Sequence, residues 1–252
     1  MSDFFVLFPV SVQPVAVFPL KQTFGGLELI SRGNLATFSP RFTWSRDESH
    51  AVQLMGTPDS FIEIPNSPGS DLDTRTSITL LIHVFPSGNR GAIISFQEHG
   101  LGVQLWHDGV VDGKGVLTAR FAWRDFSQPP DVSKAVLNLK AWNFVGASYD
   151  YESGIARLWH DGNEVETMLI GRKMELATQS SIRIGALADD IPARCFRGKV
   201  ADFHIFSESL ERDTVRSVGG IVSQGNCSIN DYINISGCTT ELMYGGQSLT
   251  LI

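Results

Sequence analysis

Acidic side chains could carry out hydrolysis, because two carboxylates on one strand face can act as acid and nucleophile on a glycosidic bond. Alternate residues of a strand share a face, so Glu164 and Glu166 are the nearest approach to such a pair. Glu63 stands alone, and Glu208 and Glu211 flank a short helical segment. Solvated charges at a hairpin edge explain Glu164 and Glu166 better than catalysis does. The sequence therefore predicts that the protein is not an enzyme.

Histidine and aspartate side chains are the candidate metal ligands of this sequence. The histidines of the strand-rich region have no zinc-site spacing, and His107 and His160 each precede an Asp-Gly turn. Calcium binds carboxylate and carbonyl oxygens from loops. Four aspartates in predicted loops are candidate ligands, namely Asp59, Asp150, Asp189 and Asp190. No cofactor is certain from the sequence, and calcium is the metal to test.

Aromatic rings beside polar turns are the usual binding surface for sugars. Trp106, Trp123 and Trp159 lie near predicted loops and are the candidates for such a surface. The alternative for each is a place in the core or on a sheet face. Both interpretations stay open at this level.

The charge of the chain excludes one class of partner. The formal net charge is −7 and the chain contains no Lys/Arg cluster, whereas nucleic-acid binders neutralise phosphates with clustered cations. The glycine-rich segment 109–115 lacks the Ser or Thr of a phosphate-binding loop and precedes a strand. We therefore expect no nucleic-acid or nucleotide partner.

The last quarter of the chain has the features of a secreted protein. Asn226 and Asn234 each begin an Asn-x-Ser triplet, which is a glycosylation signal. Cys227 and Cys238 could close a small disulfide loop in an oxidising compartment, leaving Cys195 without an assigned partner. A cytosolic chain with three thiols is the alternative. The pattern favours an extracellular location.

The N-terminal segment is apolar but does not resemble a membrane span. Residues 4–20 are interrupted by Pro9, Pro14 and Pro19, so they lack the uninterrupted apolar length that crosses a bilayer. The segment also lacks the basic start of a secretory signal. We expect that the native start, with its signal, is missing from this sequence.

From residue 51 onward, short β-branched and aromatic runs are separated by Gly, Asp, Asn, Ser or Pro, which is typical of consecutive strands. The predicted strands are 51–55, 60–64, 76–85, 91–96, 101–106, 116–123, 142–149, 154–160, 164–169, 181–185 and 196–206. Residues 17–48 are expected to add an edge strand, and one short helix is predicted within 209–218. Segments 105–109 and 158–162 both read Leu-Trp-His-Asp-Gly and are expected to form similar hairpin turns.

Four blocks of this region resemble one family. Segments 51–66 and 77–86 resemble the opening hairpin and the Pro-ended strand of laminin-G-like domains. Segment 142–162 is similar to the family's Trp-led strand, Tyr-Asp turn and Asp-Gly turn, and segment 182–210 to its Ile-Gly strand, Phe-x-Gly turn and closing strand. The resemblance covers about two-thirds of the chain and places it in the laminin-G-like, concanavalin A-like lectin and glucanase class.

That resemblance implies an all-β, antiparallel jelly-roll β-sandwich at residues 49–218. Residues 1–48 are then an N-terminal extension and residues 219–252 a polar, Cys-containing tail. Similar domains bind carbohydrates, proteins or steroids, some through calcium at a loop rim. Where they often carry an acidic residue after the Phe-x-Gly turn, this chain has Ala201 before Asp202, so their calcium ligands do not transfer directly. Trp142 is expected to fill the core.

The predicted function is an extracellular recognition or adhesion module that binds carbohydrate or an extracellular protein without catalysis. A carbohydrate-active hydrolase and a structural spacer are the alternatives. No strand-borne carboxylate pair favours the hydrolase, and no sequence feature separates the spacer from the binding module.

Overall fold

The computed structural model describes residues 12–30, 34–47, 49–96, 102–125, 127–187, 191–222, 242–244 and 247–249. The first sheet contains β1 (Ala16–Phe18), β3 (Thr43–Trp44), β4 (Val52–Met55), β6 (Ile78–Pro86), β11 (Asn143–Tyr149), β12 (Ile155–His160), β13 (Asn163–Leu169) and β15 (Arg197–Phe206). The second sheet contains β2 (Thr37–Phe38), β5 (Ile62–Ile64), β7 (Gly91–Phe96), β8 (Gln104–Val111), β9 (Lys114–Arg120), β10 (Val132–Leu137) and β14 (Ile182–Ile184). A separate pair follows, β16 (Leu242–Tyr244) and β17 (Gln247–Leu249).

Both large sheets are antiparallel. The first sheet has the spatial order β13-β12-β11-β6-β15-β4-β3, and β1 pairs with the second half of β15. The second sheet has the order β10-β9-β8-β7-β14-β5-β2. Neighbouring strands such as β6 and β15 are far apart in the sequence. The chain between them passes to the other sheet and returns. The arrangement confirms the predicted all-β jelly-roll sandwich.

The core lies between the two sheets and follows from strand alternation. On β6, Ile78, Leu80, Ile82 and Val84 are at most 1% exposed and point inward. Period-2 alternation puts such residues on one face of the strand. Of the N-terminal strands, β1 and β3 belong to the first sheet and β2 belongs to the second.

The single α-helix described, α1 (Arg212–Val222), starts three residues later than the segment that the sequence predicted. Leu210, Val215 and Val218 pack on Phe144 and Trp159 of the first sheet. This contact covers part of the outer face of that sheet. In the described residues, no helix has the length and apolar character needed to cross a bilayer.

The Leu-Trp-His-Asp-Gly segments differ in structure, and the prediction of two similar turns is wrong. Asp161 and Gly162 have positive φ and form the β12–β13 turn. Segment 105–109 instead lies within β8, and Asp108 and Gly109 fall in a register shift against β9. The β8–β9 turn is made by Asp112 and Gly113, which also have positive φ. An identical motif thus turns the chain in one place and continues a strand in the other.

Trp142 does not enter the core. It is partly exposed just before β11, and its ring lies edge-on to Phe85 with 5.8 Å between ring centroids. Trp142 is two residues from Phe144 and so has the parity of the outer face of the sheet, whereas Val145 points into the core.

Candidate functional site

The three tryptophans predicted from the sequence are buried. Trp106, Trp123 and Trp159 are 3%, 5% and 2% exposed. Trp159 lies under α1, and its indole N–H donates to the Ser148 hydroxyl at 3.0 Å. Trp123 packs in the core at 5.4 Å from the Tyr149 ring. These rings do not form the exposed surface that the sequence suggested, because none presents a ring face to solvent.

Trp106 belongs to the outer face of the second sheet, where it packs with Ala92 and Leu187. The guanidinium carbon of Arg120 lies 4.6 Å from the Trp106 ring centroid. The same guanidinium pairs with Asp108 at 3.1 Å and Asp131 at 2.8 Å. Trp106 is therefore covered by a charged group that is already neutralised.

A row of polar side chains crosses this face. Glu63, Arg183, Ser95, Gln104 and Arg120 are cross-strand neighbours in register on five adjacent strands. We call this set the polar row. Glu63 accepts from Arg183 at 2.8 Å, and Ser95 and Gln104 at the centre are buried. Arg120 at one end pairs with Asp108 and Asp131 beside the row, and the buried Ser95 hydroxyl has no hydrogen-bond partner among the described residues.

The two described candidate calcium ligands, Asp59 and Asp150, each interact with another protein group. Asp59 pairs with Arg41 at 2.9 Å. Asp150 accepts from the Ser153 N–H at 2.7 Å within its turn, and the Ser153 hydrogen bond lowers the pKa of Asp150. No group of three or more His, Cys, Asp or Glu side chains within the described part of the chain could hold a metal ion. Asp189 and Asp190 lie outside the described residues.

The secretion-related residues of the tail also lie outside the described residues. These residues are Asn226, Cys227, Asn234 and Cys238. Cys195 is described; it is buried and forms no disulfide within the described part of the chain.

The strand carboxylates are held by cations. Glu164 pairs with Arg157 at 3.1 Å, and Glu166 pairs with Lys134 at 3.0 Å. The hydrogen bond from Lys134 lowers the pKa of Glu166. A general acid needs a carboxyl group with a raised pKa. This edge therefore has the electrostatics of surface ion pairs.

The two histidines that precede Asp-Gly occupy structural positions. His107 is fully buried against Gly115, and burial lowers its pKa. The Nε2 atom of His160 lies 3.0 Å from the side-chain oxygen of Asn143, and burial lowers the pKa of His160 as well. Neither imidazole has a nucleophile or substrate-facing partner among the residues described.

Partly exposed rings beside polar groups occur on the outer face of the first sheet. Gln53, Lys199 and Phe85 are cross-strand neighbours on β4, β15 and β6, and Trp142 adjoins Phe85. All four keep partial exposure. We call this set, together with Asp47, the aromatic patch.

The two charged groups of the aromatic patch, Lys199 and Asp47, form an ion pair. The Lys199 ammonium lies 4.6 Å from the Phe85 ring centroid and pairs with Asp47. Burial raises the pKa of Asp47, but hydrogen bonds from Lys199, Ser49 and Ser45 outweigh it and hold that pKa well below its ordinary value. The carboxylate therefore stays ionised across the neutral range. The patch presents aromatic surface with a compensated charge pair.

Two polar atoms of the aromatic patch have no hydrogen-bond partner among the described residues. The Gln53 amide nitrogen donates to the Gly198 carbonyl at 2.9 Å and the Leu54 carbonyl at 3.3 Å, which leaves its side-chain oxygen without a donor among the described residues. The Trp142 indole N–H likewise has no acceptor there. An apolar surface with one donor and one acceptor suits a ligand with a flat apolar side and polar edges.

Sequence reasoning did not select Phe85 and Trp142, although a signal was present. On β6 the non-core face carries Thr79, Leu81, His83 and Phe85, so both faces of the strand are partly apolar. Helix α1 covers Leu81. Phe85 is not among the residues that the helix covers and stays partly exposed. The sequence does not show where on β6 the helix packs.

Comparison with known proteins finds one matching family and several solved structures with a similar fold. The family described as the concanavalin A-like lectin/glucanases superfamily matches residues 56–216. No curated protein matches the chain by sequence.

Among solved structures, the binding domain of botulinum neurotoxin serotype G superposes with a TM-score of 0.66 at 14% identity, over 84% of this chain and 51% of that one. A serotype D ligand-binding domain in complex with N-acetylneuraminic acid gives 0.64 at 13% identity, over 82% and 50%. The binding domain of neurotoxin DC in complex with rat synaptotagmin II gives 0.63 at 11% identity, over 82% and 51%. This chain spans about half the length of these structures, and at such identities the likeness concerns the fold.

Proposed function

The chain belongs to the concanavalin A-like lectin/glucanases superfamily, and from this premise we propose that it is a non-catalytic recognition module for a carbohydrate or protein ligand. The observation that carries the proposal is the aromatic patch, where Trp142 offers a partly exposed ring and an indole N–H without an acceptor among the described residues. Aromatic rings stack on apolar sugar faces or on apolar side chains of a protein. The polar atoms beside them fix orientation.

Binding is favoured over hydrolysis by the state of the carboxylates. Glu63, Glu164 and Glu166 each pair with a cation within 3.1 Å. A glycosidase needs two carboxyl groups facing one bond, one of them protonated. Incubation with β-glucans should release no reducing ends, and turnover would support the hydrolase alternative instead.

The structures with a similar fold are consistent with either ligand class. One was solved with N-acetylneuraminic acid and another with synaptotagmin II. Their identity to this chain is 13% and 11%, so neither ligand is carried over. We therefore propose only that this sandwich binds a carbohydrate or protein ligand, and experiment must identify that ligand.

We also propose an extracellular location. It is supported by the family and by the tail sequence with Asn226, Asn234, Cys227 and Cys238. Mass spectrometry of protein secreted from a eukaryotic host should find glycans on Asn226 or Asn234 and a Cys227–Cys238 disulfide. Recovery of unmodified asparagines and free thiols from that host would count against this location.

The ligand proposal is tested by screening the protein on a glycan array and on an array of extracellular proteins, beside the Trp142→Ala variant. We expect at least one ligand whose signal is lost in the variant. If the protein binds nothing on either array, the spacer alternative is favoured. If a ligand binds the variant equally well, the aromatic patch is not the site.

A further inference from the structure

The aromatic patch is bordered by cations that have no counter-charge among the described residues. Across the described part of the chain, most Lys and Arg side chains pair with a carboxylate. Four cationic side chains have neither an ion pair nor a hydrogen bond there, namely Arg46, Lys140, Arg197 and Arg212. The first three adjoin the aromatic patch in sequence or in space, whereas Arg212 begins α1.

Arg197 extends the charge of the aromatic patch along β15. It is two residues from Lys199, so the two side chains share the outer face of the sheet, about 7 Å apart. The stem of Arg197 passes between two glycines: a Cβ added to Gly56 would lie 2.8 Å from the Arg197 Cβ, and one added to Gly88 would lie 3.1 Å from it. Arg197 is exposed, and a planar guanidinium can bind a carboxylate through two parallel hydrogen bonds.

Lys140 brings a second unpaired cation to the opposite side of the aromatic patch. It lies two residues before Trp142, and its N–H donates to the Pro86 carbonyl at 2.8 Å, next to Phe85. Lys140 is exposed, and a lysine ammonium is a point charge on a flexible four-carbon stem. The Lys140 ammonium can therefore reach a ligand that stacks on Trp142.

The other charges near the aromatic patch leave this positive excess in place. Asp47 pairs with Lys199, so its charge is already used. Arg46 precedes Asp47 and is exposed, and the next acidic residue, Glu48, lies outside the described residues. The positive excess therefore rests on Arg197 and Lys140, in a chain whose formal net charge is −7.

The spacing of these groups sets the size of a ligand. Lys199 of β15 is the cross-strand neighbour of Phe85, and the Trp142 ring adjoins Phe85 on the far side. Trp142 is thus two strand spacings from β15, and Arg197 is two residues farther along β15. With about 4.8 Å between strands and about 3.3 Å per residue, the backbones of Arg197 and Trp142 are about 12 Å apart. A ligand that contacts both is longer than one small ring.

The backbone beneath the aromatic patch is already paired. The first half of β15, which carries Lys199, is hydrogen-bonded to β4 on one side and to β6 on the other. A peptide that binds by strand addition needs a free sheet edge. A ligand on this face instead meets side chains, including the Trp142 indole N–H and the Gln53 side-chain oxygen. A hydroxyl group both donates and accepts hydrogen bonds, so hydroxyl-rich ligands match these two atoms.

We propose that the ligand of the aromatic patch is an anionic oligosaccharide, with one sugar ring stacked on Trp142 and carboxylate or sulfate groups paired with Arg197 and Lys140. This inference rests on the proposed function, because it names the class of ligand for the same patch. The negative net charge of the chain repels anions at long range. The attraction therefore comes from the local positive charge at the patch.

The first experiment compares matched saccharides on a glycan array at low and high salt. Each sulfated or carboxylated saccharide is printed beside its uncharged parent, and poly-glutamate is printed as an acidic peptide. We expect at least one anionic saccharide to bind more tightly than its parent, with a signal that salt weakens. Sulfated and carboxylated members of the array show which anionic group is preferred.

Three outcomes of the array would overturn the inference. Binding to uncharged saccharides alone would do so and would leave the proposed function intact. Binding to poly-glutamate as tight as to the best saccharide would show a general anion surface. Binding to no saccharide would also refute the inference, and the array of extracellular proteins then decides the proposed function separately.

Charge variants test the assigned residues by calorimetric titration of the best anionic saccharide. Lys140→Gln and Arg197→Gln should each raise the Kd by up to about fivefold, and the double variant by about tenfold or more. The double variant should also bind the anionic saccharide and its uncharged parent with similar affinity. Because Lys140 and Arg197 are exposed and unpaired, these changes should leave the fold intact, which thermal unfolding checks.

The matched control is Arg212→Gln, which removes one positive charge from an exposed residue far from the patch. Near it, the Leu210 N–H donates to the Thr79 hydroxyl at 3.0 Å, and Thr79 is six residues, or about 20 Å, along β6 from Phe85. The control should leave the Kd unchanged. Equal losses of affinity in Arg212→Gln and Arg197→Gln would show an effect of net charge alone and would overturn the assignment.

Discussion

Replacing Trp142 with alanine should weaken ligand binding strongly and stability only slightly. Trp142 is partly exposed, and its described ring contact is the edge-on contact with Phe85 at 5.8 Å. An aromatic pair contributes about 0.5–1.5 kcal/mol beyond area burial. The apolar area that the partly exposed ring buries contributes as well. Together, the two contributions lead us to expect a loss of about 1–2 kcal/mol in the free energy of unfolding.

The effect on binding should be larger in proportion. A tryptophan that anchors a ligand costs about 2 kcal/mol or more when truncated. This corresponds to about a 30-fold rise in Kd. A loss of 1–2 kcal/mol in stability lowers the Tm of a domain of this size by about 2–8 °C, so the variant remains folded in a binding assay at room temperature.

The assay is calorimetric titration of the strongest array ligand into wild type, Trp142→Ala and a matched control, together with thermal unfolding of each. The control is Arg120→Met, which removes ion pairs to Asp108 and Asp131 on the other sheet. Exposed ion pairs contribute about 0.2–1 kcal/mol each, so Arg120→Met should destabilise the protein about as much as Trp142→Ala does. The control therefore shows whether a small loss of stability far from the aromatic patch is enough to weaken binding. Equal losses of affinity in both variants would refute the reasoning.

Other predictions concern stability and metals. Gly146→Ala should lower the free energy of unfolding by about 1–3 kcal/mol, because an added Cβ would lie 2.3 Å from the Leu80 carbonyl oxygen. Chemical denaturation measures this loss, and an unchanged denaturation midpoint would contradict the close packing at Gly146. Millimolar calcium should leave the Tm unchanged, because Asp59 and Asp150 belong to no group of three potential ligands among the described residues. A calcium-dependent rise in Tm would direct attention to Asp189 and Asp190.

The strand pattern could be predicted from the sequence where alternation is strong. The predicted strand 91–96 has the observed bounds, and 76–85 corresponds to β6. β10 was missed because its sequence, Val-Ser-Lys-Ala-Val-Leu, combines poor strand formers with an exposed middle. Its place at the sheet edge, supported by β9, decides its conformation.

Burial of individual aromatic residues could not be predicted from position along a strand. Trp159 is buried because α1 packs over it, and Trp106 because Arg120 and Leu187 cover it. These covering groups are distant in sequence. Trp142, expected in the core, is left partly exposed because it has the parity of Phe144, on the outer face of the sheet.

The central claim is that ligand binds at the aromatic patch, and the indole N–H resonances test it most directly. In a proton–nitrogen NMR spectrum, the five tryptophans give five indole signals, each assigned with a Trp→Phe variant. Titration with the array ligand should shift the Trp142 signal and leave those of the buried Trp106, Trp123 and Trp159 in place. Saturated binding with an unmoved Trp142 signal would contradict the claim.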